Sequence, residues 1–595
     1  MRTLPWKSSS PDPAVGHGPS GNPATGADAM VGAVPPAPGS HAAEVQADAA
    51  VPYRRTRVVR RGLGLAGFAV AVVSYCLSLT PSLLPRSWLL QGVVSGLTAA
   101  MGYAAGATMG ALVRKIWRPA PKLTRIVWRM LIVVTPPLCL LFLALGTGWQ
   151  QQLRARLDME RMETYDIVRI VGVSVLTFGV ILPAARLLRL ATRRLTRLLG
   201  RFVPKPVAYA AGFAVVVCLV VGFVQDVLVS NAVTVANQTA SLTNGGTSPG
   251  VAAPTSAQLS GSPVSLVPWR TLGRQGRDFV ATAPSREELG RFAGGPTDDP
   301  IRVYIGLDSA PTVDERVRLA LREMERTGAF DRAVVAVITA TGTGWVDDNV
   351  TDSLEYMYAG DTAMVSMQYS YLPSWLSLMV DQSKVTETAS MLIHAVRDRW
   401  AALPVEFRPK LVLFGESLGS YGTEMAHQSL ESMADGTDGV LLVGPPFVNP
   451  IWHPLVNGRD AGSPVWSPVY RNGDTVRFTQ NPVELRSSAG PPPKVLYLQN
   501  SSDPIVWWSP ELLVQPPEWL DHPRGPDVSP DMHWYPGITF WQTAVDITFA
   551  NSVPTGHGHV YGSSVADAWA ALLPSPGWSS EDTIRLRALL NANPR

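Results

Sequence analysis

The sequence predicts an α-helical transmembrane bundle followed by an α/β domain, in which a mostly parallel sheet carries helices on both faces. Five apolar stretches, each near the ~20 residues that a helix needs to cross the bilayer core, lie between residues 61 and 229. After residue 270, short β-branched runs alternate with helical patterns. Only 16% of the residues are charged, against roughly 25% in soluble domains, while the apolar fraction of 46% is ordinary. The excess hydrophobicity is therefore local.

Composition excludes several classes of function. The net charge of +3 over 595 residues is too small to make nucleic acid the main partner. The three cysteines exclude a disulfide-rich scaffold, and no CxxC pair is present to bind zinc. We therefore expect neither a metal nor another cofactor, and the oligomeric state stays open.

Residues 1–60 are predicted to be a disordered tail. Pro, Gly, Ala and Ser dominate residues 1–50, and large apolar side chains are few. Such a segment does not bury enough surface to offset its chain entropy. No apolar core appears before Arg61, which argues against a signal peptide.

The transmembrane domain is predicted over residues 61–229, with about five helices. Residues 211–224 are apolar on every face, which argues against helices of a soluble bundle. The five apolar stretches are 63–83, 89–112, 130–148, 168–188 and 207–228.

Charges in the loops give this domain an orientation. The segment before the first stretch, the second-to-third loop and the fourth-to-fifth loop are strongly basic, whereas the first-to-second loop carries only Arg86. The third-to-fourth loop balances its arginines with acidic residues. By the positive-inside rule the N-terminal tail is cytoplasmic. An odd number of spans in the plasma membrane then places everything after residue 229 outside the cytoplasm, and a miscount by one span reverses that placement.

Residues 230–269 contain no charged side chain and are predicted to be a flexible linker. The α/β domain is predicted over residues 270–595. Its strands are expected at 301–307, 333–339, 363–369, 410–414, 439–443 and 494–498. Its helices are expected around 312–326, 381–402 and 419–434.

The motif G-x-S-x-G occurs twice, and only its second occurrence has the context that the chemistry requires. Gly246–Gly250 lies in the charge-free linker, with no strand before it. In contrast, Gly415–Gly419 follows the apolar run Leu411–Phe414 and precedes a helical stretch. A sharp strand-to-helix turn of this kind exposes a nucleophilic serine, and it needs glycine on both sides to relieve crowding. We therefore identify Ser417 as the candidate nucleophile; the alternative is a tight turn without chemistry.

A nucleophilic serine needs a histidine base and an acid that orients it, in the chain order Ser, acid, His. Near the C-terminus, His557 and His559 lie in the glycine-rich run Gly556–Gly562, which can bring an imidazole back over the serine. One of the two is expected to be the base, and the sequence does not decide between them. For the acid we expect Asp503, in the loop just past the C-terminal end of the apolar run Val495–Leu498. Asp438 is the weaker alternative.

The oxyanion of the reaction also needs hydrogen-bond donors. One is expected to be the backbone N–H of Leu418, directly after the nucleophile. The second is expected from the loop after the strand at 333–339, which begins with Thr341 and Gly342. This loop lacks the G-x-x-x-x-G-K and G-x-G-x-x-G patterns of phosphate binding. The His-Gly-His pair has no acidic or cysteine cluster nearby that would complete a metal site.

Together, Gly415–Gly419, Asp503 and Gly556–Gly562 resemble the actinobacterial membrane-anchored α/β-hydrolase family, which joins a multi-span N-terminal domain to a C-terminal serine hydrolase domain. The resemblance extends over residues 60–595 and includes Leu272–Arg277. It implies an esterase- or lipase-like enzyme and specifies no substrate. One stretch departs from the usual order, since residues 539–550 look like a helix and not like the last strand expected before the catalytic histidine.

We therefore expect a membrane-anchored serine hydrolase that cleaves an acyl ester, with a lipidic substrate reached at the bilayer on the extracytoplasmic face. An acyltransferase acting on envelope lipids or glycans would use the same triad. A transporter or channel with an inactive hydrolase-fold binding module is the alternative outside enzymes, although few ionisable residues fall inside the spans. Five tryptophans are expected to form an acyl-binding cap, to dip into the membrane interface, or to pack as ordinary aromatic side chains: Trp507, Trp508, Trp519, Trp534 and Trp541.

Overall fold

The computed structural model describes residues 63–116, 120–161, 166–201, 240–486 and 491–592, together with 204, 207, 214 and 215. The predicted tail, residues 1–60, lies outside the described residues. So does nearly all of the fifth apolar stretch.

Four helices form the N-terminal part of the described chain: α1 (Leu65–Ser78), α2 (Trp88–Ile116), α3 (Pro121–Arg156) and α4 (Asp166–Leu199). The last three are long and apolar enough to cross a membrane. Helix α1 has 14 residues. At 1.5 Å per residue it is about 21 Å long, shorter than the ~30 Å hydrocarbon core.

Helix α1 stops short of the predicted end of the first apolar stretch because of two prolines. Pro81 and Pro85 lack a backbone N–H, and each disfavours helical geometry in the residue before it. Residues 79–87, which we call the connecting segment, join α1 to α2 without helical structure. The segment is not a solvent-exposed loop, since residues 78–86 are all buried.

Small residues let α1, α2 and α4 pack closely. A Cβ added to Gly106 of α2 would lie 2.4 Å from the carbonyl oxygen of Ala66 in α1. One added to Gly96 would lie 2.6 Å from the carbonyl oxygen of Ser174 in α4. Close backbone approach at small residues is typical of helix packing in membranes.

A seven-stranded sheet forms the centre of the second part, in the order β1-β3-β2-β4-β5-β7-β6, with every neighbouring pair parallel. All residues of β2, β3, β5 and β7 are buried, as expected for parallel strands covered on both faces. The predicted fold class is thereby confirmed. The strands are β1 (Ile301–Ile305), β2 (Val334–Thr339), β3 (Thr362–Met367), β4 (Lys410–Glu416), β5 (Gly439–Val443), β6 (Val476–Thr479) and β7 (Val495–Leu498).

Within residues 246–486 and 491–592, fourteen α-helices accompany this sheet. A further helical stretch, residues 240–245, precedes them. They are α5 (Gly273–Ala281), α6 (Arg286–Ala293), α7 (Val313–Thr327), α8 (Asp348–Met357), α9 (Ser374–Val380), α10 (Gln382–Ala401), α11 (Leu418–Met425), α12 (Leu430–Ala434), α13 (Trp452–Asn457), α14 (Val483–Arg486), α15 (Pro504–Trp507), α16 (Ile538–Asp546), α17 (Ser564–Leu572) and α18 (Ser580–Ala592).

Most predicted elements are present, with two differences. The helix expected at 419–434 is divided into α11 and α12, because Ser429 caps a new helix by accepting a hydrogen bond from the Ser432 N–H. The strand β6 was not predicted, and it occupies the sheet edge next to β7. Residues 538–546 form helix α16, as their pattern indicated, so this edge is built by a strand that precedes β7 in the chain.

The described part of the predicted linker, residues 240–269, packs against the α/β domain. Arg277 of α5 donates hydrogen bonds from Nη1 to the carbonyl oxygens of Gly245 and Gly246, at 2.9 and 2.7 Å. The Ser260 N–H donates to the carbonyl oxygen of Arg302 at 3.0 Å. Residues 240–269 are thus held in place by hydrogen bonds of their backbone groups. Their composition, which lacks charges, does not reveal these hydrogen bonds.

The helical part and the sheet share one hydrophobic core. Leu83 and Leu84 of the connecting segment belong to it, as do Leu153 and Leu157 at the end of α3. All four side chains are essentially inaccessible to solvent. The N-terminal helices and the α/β domain are therefore continuous through their packing.

Candidate active site

Ser417 sits at a strained turn between β4 and α11. Its backbone has φ 52° and ψ −124°, an unusual conformation for a residue with a side chain. The Ser417 N–H donates to the carbonyl oxygen of Val443 at the end of β5, 2.8 Å away. This turn has the strand–turn–helix geometry of a nucleophile elbow.

Close backbone contacts explain both glycines of the motif. A Cβ on Gly415 would lie 2.4 Å from the carbonyl oxygen of Gly419. A Cβ on Gly419 would lie 2.2 Å from the carbonyl oxygen of Thr339 at the end of β2. Neither position accepts a larger residue without moving the backbone.

The other G-x-S-x-G sequence has an ordinary structural role. Ser248 Oγ donates to Asp278 Oδ2 at 2.8 Å and accepts from Arg274 Nε at 3.0 Å. Both partners belong to α5, so Ser248 holds residues 240–269 against the domain.

His559 and Asp503 form a buried pair next to this elbow. His559 Nδ1 lies 2.6 Å from Asp503 Oδ2, and the two side chains are 5% and 0% exposed. The other ring nitrogen, Nε2, is buried and has no hydrogen-bond partner among the described residues. His559 and Ser417 line the same cavity.

Asp503 lies five residues past Leu498, the last residue of β7, and both of its carboxylate oxygens have hydrogen-bond partners. Oδ1 accepts the Ile505 N–H at 2.9 Å, and Asp503 thereby caps the start of α15. Oδ2 accepts the Tyr561 hydroxyl at 2.8 Å in addition to the imidazole. Tyr561 was missed from the sequence, although it lies two residues after His559.

His557 points to a different carboxylate. Its Nδ1 lies 3.2 Å from Asp527 Oδ2, and this contact is the main reason that the pKa of His557 is raised. Asp527 Oδ2 also accepts hydrogen bonds from Ser502 Oγ at 2.9 Å and Gln480 Nε2 at 2.8 Å. Of the two histidines that the sequence left open, His559 is thus the one paired with Asp503.

The predicted oxyanion donors differ in their availability. Leu418 is the first residue of α11, so its N–H has no acceptor within the helix. The Thr341 N–H donates to the Trp345 carbonyl oxygen at 3.0 Å, and the Gly342 N–H donates to Ser374 Oγ at 3.1 Å. Both N–H groups are therefore engaged within the loop in this conformation, and their role at the oxyanion stays a prediction.

The cavity that contains Ser417 and His559 has a volume of about 570 Å³. Its wall includes the apolar side chains of Ile505, Ile547 and Phe549 and the polar side chains of Asn349 and Asn551. None of the five tryptophans of residues 507–541 lines it, although all five lie within the described chain. Trp507 and Trp519 are buried in the core instead.

Two further carboxyl groups, Glu416 and Asp347, reach this cavity. Burial raises the pKa of Glu416 well above its usual range, and the nearby Asp347 and Asp503 raise it further. Burial also raises the pKa of Asp347 to about 6. Glu416 Oε2 is buried without a hydrogen-bond partner among the described residues. Burial and the two neighbouring carboxyl groups thus favour the neutral form of Glu416.

The alternative acid, Asp438, lies elsewhere. It precedes β5, at the opposite end of the strand from Ser417, and its Oδ2 accepts the Leu411 N–H at 2.8 Å. Asp438 thus joins the amino-terminal ends of two strands.

Two family models match this chain. One, described as the alpha/beta-hydrolase family, matches residues 301–586, which contain Ser417, Asp503 and His559. The other, described as the alpha/beta-hydrolase family N-terminus, matches residues 79–284. No curated protein and no solved structure matches the chain.

Proposed function

This chain is an α/β-hydrolase family protein, and from that premise we propose that it is a membrane-anchored serine hydrolase that cleaves an acyl ester. Ser417 is the nucleophile, His559 the general base and Asp503 the orienting acid. The observation that carries the proposal is the 2.6 Å contact between His559 and Asp503 in the cavity that also holds Ser417.

Acylation begins when Ser417 Oγ attacks the acyl carbonyl carbon and His559 Nε2 takes the hydroxyl proton. Asp503 holds the imidazole through Nδ1 and stabilises the imidazolium that forms. The Leu418 N–H donates to the oxyanion of the tetrahedral intermediate. When the intermediate collapses, the bond to the alcohol oxygen breaks, and His559 returns the proton to that oxygen. The acyl group remains on Ser417.

Deacylation repeats these steps with water. His559 takes a proton from the water as the water oxygen attacks the acyl carbon. The bond from that carbon to Ser417 Oγ then breaks, His559 returns the proton to Oγ, and the acid product leaves. If an alcohol enters in place of water, the same residues transfer the acyl group to it. Hydrolysis and acyl transfer are therefore separated by product analysis with and without an acceptor alcohol.

The substrate that this cavity favours is an ester with an apolar acyl chain. A volume of about 570 Å³ falls within the range of roughly 300–1,000 Å³ found for small-molecule sites. The apolar side chains of Ile505, Ile547 and Phe549 provide one part of its lining. Attachment to a membrane places such a site close to lipid esters.

We place the catalytic domain on the extracytoplasmic side. The domain contacts the connecting segment and the end of α3, which lie at one end of the helices. The opposite ends carry the basic residues Arg114 and Lys115 of α2 and Arg197 of α4. Basic ends face the cytoplasm. The placement is independent of the number of spans.

Labelling with a fluorophosphonate probe tests the proposal on the full chain in detergent or nanodiscs. We expect covalent labelling of the wild type, none for Ser417→Ala, and wild-type labelling for the matched control Ser248→Ala, which alters the other G-x-S-x-G sequence. Esters of increasing acyl length then report the preferred chain. No labelling of the wild type, or labelling that persists in Ser417→Ala, would overturn the proposal.

A further inference from the structure

Arg86 and Asp546 form an ion pair that joins the membrane-side helices to the catalytic domain. Arg86 Nε lies 3.1 Å from Asp546 Oδ1, and both side chains are completely buried. Arg86 belongs to the connecting segment, and Asp546 is the last residue of α16. A buried charge of this kind is tolerated only with its partner in place.

Several further hydrogen bonds reinforce this contact. The Leu84 N–H donates to Asp546 Oδ2 at 3.3 Å, and Arg86 Nη1 donates to Gln91 Oε1 at 2.8 Å. Gln542, one turn earlier in α16, donates from Nε2 to the carbonyl oxygens of Ser78 and Thr80, at 3.1 and 3.0 Å. Helix α16 therefore caps the C-terminal end of α1, where backbone acceptors lack helical partners.

The same helix leads directly to the active site. Residues 547–552, which follow Asp546, all line the cavity that contains Ser417. Among them, the Ala550 carbonyl oxygen accepts the His559 N–H at 2.9 Å. Four residues and one hydrogen bond thus connect Asp546 to the backbone of His559.

The connecting segment also touches the histidine loop itself. The Leu84 Cδ1 atom lies 3.5 Å from the point that a Cβ on Gly558 would occupy. Gly558 separates His557 from His559, and its carbonyl oxygen accepts from Asn500 Nδ2 at 2.9 Å. A second contact comes from α3, where Arg156 Nη1 donates to the carbonyl oxygen of Pro526 at 3.1 Å. Pro526 directly precedes Asp527, the partner of His557.

We propose that Arg86 is a positioning residue for His559: through Asp546 and α16 it fixes the loop that carries the catalytic base. The inference rests on the proposed serine hydrolase function. It gives the helical domain a role beyond anchoring, because the catalytic geometry depends on the docked connecting segment. The reaction is therefore sensitive to the arrangement of the membrane helices.

The test separates positioning from stability with a neutral double variant of the full chain. Arg86→Met alone leaves Asp546 buried without a partner, so it can unfold the protein. Arg86→Met combined with Asp546→Leu removes both charges, and replacing a buried ion pair by apolar residues is often tolerated. We expect this double variant to keep a cooperative thermal transition near that of the wild type. We also expect its kcat for a p-nitrophenyl ester and its rate of fluorophosphonate labelling to fall at least tenfold, with KM nearly unchanged.

Two further variants complete the test. Arg86→Lys keeps the charge but loses the planar guanidinium, so we expect an intermediate kcat. Arg318→Met with Asp314→Leu removes an exposed ion pair of α7, and we expect wild-type kcat. Wild-type kcat in the double variant at Arg86 and Asp546 would overturn this inference and leave the proposed function intact. If the double variant is unfolded, wild-type kcat in Arg86→Lys would do the same. A wild-type protein without labelling at Ser417 would overturn the proposed function and this inference together.

Discussion

The imidazole of His559 occupies space that Gly444 leaves free. A Cβ on Gly444 would lie 2.4 Å from Cε1 of the ring, and Gly444 has φ +54°. Gly444 directly follows β5, so the glycine brings the end of that strand against the histidine. No motif in the sequence singled it out.

We predict that Gly444→Ala displaces His559 and lowers kcat by at least about 100-fold, the scale of a lost general base. The left-handed backbone costs a further ~1–2 kcal/mol of stability for any residue with a Cβ. Gly294→Ala controls for that cost, because Gly294 has φ +67° with open space around it. Steady-state kinetics and thermal unfolding of both variants measure the difference. Equal effects of the two substitutions on kcat would contradict the prediction.

Substitution of His559 should lower kcat far more than substitution of His557, the other histidine of the glycine-rich run. His559→Gln removes the base paired with Asp503, so we expect a loss of about 10²–10⁴-fold in kcat. His557→Gln disturbs only the contact with Asp527, and a much smaller loss is expected. Rates of fluorophosphonate labelling provide the comparison. The reverse order of effects would show that His557 is the base.

The Tyr561 hydroxyl is expected to contribute through Asp503. Hydrogen bonds to charged groups contribute about 1.5–3 kcal/mol, so Tyr561→Phe should lower kcat by about tenfold or more. Tyr358→Phe is the control, since the Tyr358 hydroxyl donates to the Leu573 carbonyl oxygen outside the cavity. The prediction fails if kcat of the two variants falls by the same factor.

Glu416 should make the protein less stable as pH rises. Its pKa is raised in the folded state, so the folded protein keeps the proton that the unfolded chain releases above its own pKa. The stabilisation is complete at pH values below the pKa that Glu416 has in the unfolded chain. It is lost as the pH rises toward the pKa that Glu416 has in the folded protein. Glu416→Gln stays neutral in both states, so its Tm should exceed that of the wild type by more at pH 8 than at pH 5.

Glu581→Gln, an exposed change in the first turn of α18, is the control for that comparison. Its Tm should follow the wild type across the same pH range. A Tm difference for Glu416→Gln that shrinks between pH 5 and pH 8 would contradict a raised pKa of Glu416.

The sheet was largely predictable because its strands are buried runs with strong local patterns. Six strands, the turn at Ser417 and the position of Asp503 all follow from such patterns. Strand β6 was not predicted because it has only four residues and one of them is the polar Arg477. Its place at the edge depends on pairing with β7, which no local pattern encodes.

The sequence could not predict which of His557 and His559 pairs with Asp503, and the reason is geometric. Gly558 lies between them with φ +51°, and the chain reversal there sends the two rings to different carboxylates. Asp527, the partner of His557, comes from a loop 30 residues away in the chain. The internal hydrogen bonds of Thr341 and Gly342 were equally unpredictable, since they depend on Trp345 and Ser374.

The Arg86–Asp546 pair joins residues 460 positions apart in the chain, which has a consequence for biosynthesis. At about 5–20 residues per second, ribosomes need roughly 20–90 s to reach Asp546 after Arg86 is made. During this interval α1 and α2 can enter the bilayer while the guanidinium still lacks its carboxylate. Closure of the connecting segment is thus a late event, completed when the α/β domain has folded.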